Sequence, residues 1–290
     1  MLNLALPKGS LEKQTLSLFK AADLDVKATS RGYNPHIDDP RIANVKILRP
    51  QEIPKYVEEG YFDLGISGHD WVQESGADVI EVANLPYSKQ SEGIVKIVVA
   101  VPLESEINDV KEINPNSRVS TEFPNLTREY FQNLGIPIRV FYSYGATEAK
   151  VPELMDVIVD LTETGETLRR NGLKIIGTIL ESSTSLIANK KSWKDPEKRK
   201  SMEEIIILLL GVIAARGKVL LSMNVLKEKL DAVVGVLPAM KNPTISQLYD
   251  SRYYAVETVV DKKDVNILLP QLKDGGAEDI IEINITKIVE

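Results

Sequence analysis

The chain has 290 residues, and 35 Lys+Arg against 42 Asp+Glu leave a net charge of −7 with no evident basic face, which argues against a nucleic-acid partner. Its 43% hydrophobic and 27% charged residues are ordinary for a globular protein of two or three domains. The absence of cysteine excludes disulfides, zinc ribbons, iron–sulfur clusters and thiol nucleophiles, and with His36 and His69 as the only imidazoles a multi-histidine metal cage is excluded too.

The opening MLNLALPKGSLEKQ has too short an apolar stretch for a signal peptide, and the longest apolar run, 205–215, covers about half of a bilayer as a helix. A cytoplasmic chain without a membrane partner is expected. Residues 2–6 predict a strand, PKGS a turn with Ser10 as helix cap, and the spacing of Leu11, Leu16, Phe19 and Ala22 a helix. Strand 44–50, helix 51–60 closed by Gly60, strand 62–68 and the short helix DWVQESG follow. GIVKIVVAV (93–101) reads as a buried strand interrupted by Lys96. The same alternation resumes with strand 118–120, helix 125–134, strand 138–141, a helix near 146–150, strand 155–161 and a helix from about Thr167. KKSWKDPEKRK (190–200) reads as a solvated connector and 203–216 as an apolar helix ending at Gly217. The remainder predicts strand 218–224, helix 225–231, strand 258–260, helix 264–273 and strand 279–285, a small ferredoxin-like α+β unit.

Chemistry concentrates in DLTETGETL (160–168), between an apolar strand and a helix. Thr162, Thr164 and Thr167 offer hydroxyls, Gly165 admits an anion to the backbone, and the helix start offers N–H groups and a positive dipole end. Glu163 and Glu166 oppose an anion by charge unless their side chains turn outward. The loop is either a phosphate cradle or a plain capped turn. Asp160 lies at the carboxyl end of its strand, where α/β sites are built, whereas Asp156 reads as a strand entrance. LPKGSL is a second candidate anion site, through Lys8 and Gly9, and Arg49 places a guanidinium after a strand. Asp70 is either a site residue or a helix cap, and His69 a solvated loop residue.

LPKGSL, RPQEIPKYVEEG, DLGISGHDW, TEFPNLTREYF, DLTETGETLRRNGL and LPAMKNPTIS, in this order, resemble the ATP phosphoribosyltransferases, in their long form with a C-terminal regulatory domain. The resemblance covers nearly the whole chain. It implies an α/β fold of two periplasmic-binding-protein-like domains forming a cleft, plus a ferredoxin-like regulatory domain. The implied boundaries are 1–95 with 183–216, 96–182, and 217–290. The implied activity is transfer of phosphoribosyl from 5-phosphoribosyl diphosphate to N1 of ATP, with Mg2+ carried mainly by the substrate and histidine as feedback inhibitor. It implies that Glu148, Asp160 and Thr162, Glu163, Thr164, Gly165, Glu166 and Thr167 bind the donor. Lys8, Gly9, Arg31, Arg49, Asp70 and Glu74 would face ATP and diphosphate, and Asn224, Met240, Thr244 and Asp279 the histidine. Between Glu148 and Asp160 the chain is one residue shorter than is usual in the family and lacks its glycine. A homo-oligomer, dimer to hexamer, is also implied. The rival reading is a non-catalytic ligand-binding module of the same two-lobed fold.

Overall fold

The computed structural model describes residues 1–27, 35–87, 93–238 and 242–289. They form two compact units, 1–206 and 207–290. The first unit begins β1 (Leu2–Pro7), α1 (Glu12–Ala21), β2 (Val26–Lys27), β3 (His36–Ile37), β4 (Ile42–Leu48), α2 (Ile53–Glu58), β5 (Leu64–Gly68), α3 (His69–Ser75) and β6 (Ile80–Asn84). It continues with β7 (Val95–Pro102), β8 (Ser117–Thr121), α4 (Pro124–Asn133), β9 (Ile138–Tyr142), β10 (Val157–Thr162), α5 (Glu166–Arg170), β11 (Leu173–Ser182), β12 (Thr184–Ala188) and α6 (Lys190–Lys194). Helix α7 (Pro196–Ala215) carries the boundary between the units.

Two five-stranded sheets build the first unit. One has the order β4-β1-β5-β12-β6, the other β11-β7-β10-β8-β9, which is the two-lobed α/β architecture expected. β1, β4 and β5 run parallel, as do β8, β9 and β10, while β12 and β7 are antiparallel to their neighbours. Register pairs Thr184 with Gly68 in one sheet and Ser182 with Val95 in the other. The chain therefore crosses between lobes at the carboxyl ends of the parallel strands of both, where α/β proteins place ligands. Strands β7 and β10 are covered on both faces: Ile97, Val99, Val101, Val157 and Val159 pack to one side with Phe123 and Phe131, Val98, Ala100 and Ile158 to the other with Leu168 and Leu173. This double burial accounts for the unbroken apolar run; Lys96, near its start, faces outward and pairs with Glu181 at 2.8 Å.

A buried carboxylate ties the first lobe together. Asp63, 4% exposed, accepts from the Asn3 N–H, from Ser192 Oγ and from Lys198 Nζ at 2.6 to 2.8 Å. Burial pushes its pKa up, but Lys198, Ser192 and the Asn3 amide outweigh burial and hold it below the usual value. The basic segment expected to be a solvated connector is thus helical and anchored: Lys198 on Asp63, Lys190 on Asp78, and Arg199 4.8 Å above the Trp193 ring.

The second unit contains β13 (Lys218–Leu226), α8 (Leu230–Val236), β14 (Thr244–Gln247), β15 (Tyr253–Asp261), α9 (Val265–Gly275) and β16 (Ala277–Asn284). Its order, β14-β15-β13-β16, with antiparallel pairing throughout, is ferredoxin-like as expected. β13 alternates strictly, with Val219, Leu221, Met223 and Val225 turned to the core.

Several expected elements are corrected. Helix 225–231 gives way to the end of β13 followed by α8, and 146–150 is a single 3-10 turn over Thr147–Lys150. Ser10 caps nothing; the Glu12 carboxylate instead accepts from the Gly9 N–H at 3.1 Å. His69 opens α3 and pairs with Glu81 at 2.8 Å rather than standing in a solvated loop. No helix among the described residues is long and apolar enough to cross a membrane.

Replacing Asp63 by alanine strands three donors. We expect a loss of about 2 kcal/mol, read as a lower urea midpoint at unchanged slope. Because the Asp63 pKa is depressed on folding, its stabilisation is complete above the ordinary carboxylate range and fades as pH falls through it; the variant is expected to lose that part of the acid dependence.

Candidate active site

The segment after β10 closes a cavity of about 390 Å3 lined by Glu148, Asp160, Thr162, Glu163, Thr164, Glu166 and Thr167, with Leu161 and Leu168. Seven of the eight donor-site residues expected from the sequence line one space. The eighth, Gly165, is the turn itself, at φ +75°. A side chain there would be strained by that backbone conformation and would meet Ile175 Cδ1 at 3.0 Å. Thr162 Oγ1 accepts from the Gly165 N–H at 2.9 Å and so shapes the turn. One expectation is corrected: α5 has only five residues, too few to build a substantial dipole. Glu166 is salt-bridged to Arg170, which neutralises a carboxylate at the cavity wall.

Asp160 is the electrostatic centre of the cavity. Burial raises its pKa to about 6, Glu148 and Glu122 add to the rise, and the Leu161 N–H and Lys150 oppose it. A half-buried carboxylate in such surroundings is ready to accept hydrogen bonds from neutral hydroxyls. Asp156, by contrast, is structural: it takes the Arg118 N–H and guanidinium at 2.7 to 3.1 Å.

On the facing lobe, Lys8, Gly9 and Arg49 come together at the carboxyl ends of β1 and β4. The Lys8 N–H donates to the Leu48 carbonyl, and Arg49 Nη1 lies 3.6 Å from where a Cβ on Gly9 would stand. Lys8, Gly9 and Arg49 are all exposed, which leaves two cationic side chains accessible to an anion. Arg31 lies outside the described residues.

Asp70 and Glu74, expected on the ATP and diphosphate side, each bond to protein partners. Asp70 is 3% exposed; Ser182 Oγ donates to its Oδ1 at 2.8 Å and accepts from its N–H at 2.9 Å. Burial raises its pKa. A Cβ on Gly68 would stand 1.9 Å from Asp70 Oδ1, so glycine at 68 is what lets this carboxylate fold back. The Glu74 carboxylate accepts from the Asn125 and Leu126 N–H groups at 2.9 to 3.1 Å, so a side chain of one lobe caps the first turn of α4 in the other. Trp71 stacks on Phe123 beside it, centroids 4.5 Å apart. The sequence motif identifies these positions but not their partners, which are 51 to 112 residues away.

In the second unit a cavity of about 510 Å3 is lined by Asn224, Leu248, Tyr249, Asp250, Tyr253, Glu278 and Asp279. It brings together Asn224 and Asp279, whose side chains bond at 3.0 Å. Thr244, at the start of edge strand β14, is not among the lining residues, and Met240 lies outside the described residues. Tyr249 and Tyr253 are lining residues that the motif did not indicate.

A family model described as ATP phosphoribosyltransferase (HisG) matches residues 49–211, and one for the HisG C-terminal domain matches residues 215–287. The ATP phosphoribosyltransferase of Desulforudis audaxviator is 49% identical over 288 residues, 99% of either chain. That of Solibacter usitatus is 48% identical over 289 residues, covering 100% of this chain and 99% of its own. Among solved structures, a chain of the ATP phosphoribosyl transferase (HisG:HisZ) complex from Thermotoga maritima superposes with a TM-score of 0.63 at 29% identity, over 74% of this chain and 99% of that one. Two models that together span most of the chain, and full-length relatives near half identity, carry the same name in each case, so the chain is an enzyme that belongs to the ATP phosphoribosyltransferase family of histidine biosynthesis.

Proposed function

We propose that the chain transfers the 5-phosphoribosyl group from 5-phosphoribosyl diphosphate to N1 of ATP and is inhibited by histidine bound to its second unit. The observation that carries the reading is the cavity bounded by Glu148, Asp160 and the 162–167 loop. In it the loop hydroxyls and amides take the 5′-phosphate, and Asp160 and Glu148 accept from the ribose hydroxyls. Lys8 and Arg49 attract the phosphates of ATP and the departing diphosphate.

The chemistry asks little of the protein in proton transfer. Adenine N1 carries an unprotonated lone pair near neutral pH. The N1–C1 bond forms as the bond from C1 to the diphosphate oxygen breaks, and the electron pair leaves with diphosphate. Alignment and charge stabilisation supply the acceleration, which suits a chain with two histidines. No group of three or more His, Cys, Asp or Glu side chains among the described residues is arranged to hold a metal ion. We take Mg2+ to arrive as part of the donor, on its diphosphate oxygens, a hard cation on hard ligands. The enzyme would act in the cytoplasm as a homo-oligomer, dimer to hexamer, with its own C-terminal domain as regulator.

The reading is tested by a UV assay with ATP, the donor, Mg2+ and pyrophosphatase, run with and without histidine. Product that histidine suppresses is the expected result, and absence of product from folded protein overturns it. Gly165→Ala should raise the donor KM at least several-fold and leave that for ATP within about twofold, since strain falls on the loop alone. Because an ionised Asp160 accepts from the ribose hydroxyls more strongly than a neutral one, donor binding should weaken as pH falls through about 6, the raised value of Asp160. Asp160→Asn should bind weakly with no such limb. Asp279→Ala, in the second cavity, should relieve histidine inhibition without lowering uninhibited turnover; undiminished inhibition would put the effector elsewhere.

A further inference from the structure

Lys150 ends the 3-10 turn that begins at Thr147 and carries Glu148. Its side chain is partly buried. Lys150 Nζ donates to Ser143 Oγ, and to Ser120 Oγ at 3.4 Å. Both serines are buried, at 0% and 1% exposure. Ser143 Oγ also bonds Thr147 Oγ1 at 2.8 Å, and the Ser143 N–H donates to the Thr121 carbonyl at 2.8 Å. The ammonium is therefore fixed at the carboxyl ends of β8 and β9 by hydroxyls that have little freedom to follow it elsewhere. Ser120 is in register with Ile158 on β10, two residues before Asp160.

A lysine normally keeps its ammonium in water, because it is strongly hydrated and its stem is flexible. Two buried serine hydroxyls replace part of that water here. The charged groups acting on Asp160 are Glu148 and Glu122, which disfavour its ionised form, and Lys150, which favours it. Without the lysine, a carboxylate needed for hydroxyl recognition would face two like charges and partial burial with only one backbone N–H in its favour.

We propose that Lys150 is a positioning residue for the donor site: its ammonium, anchored on Ser120 and Ser143, supplies the positive charge facing Asp160 and fixes the turn that carries Glu148. The inference rests on the reading of Asp160 and Glu148 as ribose-binding groups. It adds a residue that touches no part of the donor and acts through both carboxylates.

The test is the pH dependence of donor binding by the full-length protein, with 5-phosphoribosyl diphosphate and Mg2+ as the probe, between pH 5 and about 8. Lys150→Gln should move the acid limb upward, by at most about one pH unit, and weaken binding at neutral pH by up to about twofold, because loss of the cation makes Asp160 harder to ionise. Lys150→Arg keeps the charge and should keep the limb close to that of the wild type. A limb that stays in place in Lys150→Gln overturns the proposal, as does one that moves equally in Lys150→Arg. If Lys150→Gln does not fold, Ser143→Ala, which removes the main anchor, carries the same readout and the same two outcomes. A wild-type protein that binds no donor, or an acid limb that survives Asp160→Asn, removes the reading of the site itself. A limb abolished by Asp160→Asn and unmoved in Lys150→Gln removes only the role of Lys150.

Discussion

The geometry of the first unit depends on a carboxylate that crosses from one lobe to the other. Glu74 belongs to the helix after β5, yet it accepts the first free N–H groups of α4, and those groups would otherwise be unsatisfied at a helix start. Desolvation pushes its pKa up, and the two backbone bonds return part of what burial costs. Stacking of Trp71 on Phe123 adds an apolar contact beside the polar one. Together with the Asp70 to Ser182 pair, these contacts set where the two sets of parallel strands end relative to each other. The facing ends hold Lys8 and Arg49 on one side and the 160–168 loop on the other.

On the proposed reading, that arrangement separates two kinds of anion recognition. In one lobe the means are side-chain cations on exposed backbone; in the other they are hydroxyls, a left-handed glycine and carboxylates whose charge is tuned by burial. The division suits a reaction whose donor has a sugar to be oriented and a diphosphate to be released. The sugar needs acceptors held in place, and the leaving group needs positive charge that strengthens its hold as negative charge builds. Putting Asp160 close to Glu148 and Glu122 costs stability in the ionised state, and the loop tolerates that cost where the acceptor is used.

Much of the fold was legible from the chain where a strand is buried over most of its length, as in β7, or strictly alternating, as in β13. The grouping of the 160–168 residues around one cavity was legible for a different reason: its threonines, glycine and acidic residues are contiguous, so proximity in sequence is proximity in space. Strand β11 was not read as a strand because its pairing with β7 shifts register twice, between Ile175 and Gly177 and between Thr178 and Leu180, which breaks the two-residue period. The roles of Asp70 and Glu74 were not legible because their partners come from distant segments. Thr244 fell outside the second cavity although motif order put it there, and Tyr249 and Tyr253 line it with no motif to mark them. Side chains that a site borrows from remote elements leave no local signature.

The fit of Asp70 against Gly68 has a bearing on how this chain can vary. The space a methyl group would occupy at 68 is already filled by an oxygen of residue 70. Neither position has an independent tolerance: the smallness of one is defined by the reach of the other. A survey of single replacements would score both as rigid. Paired replacements, with a larger residue at 68 and a shorter one at 70, would uncover a shared volume that the two positions divide between them.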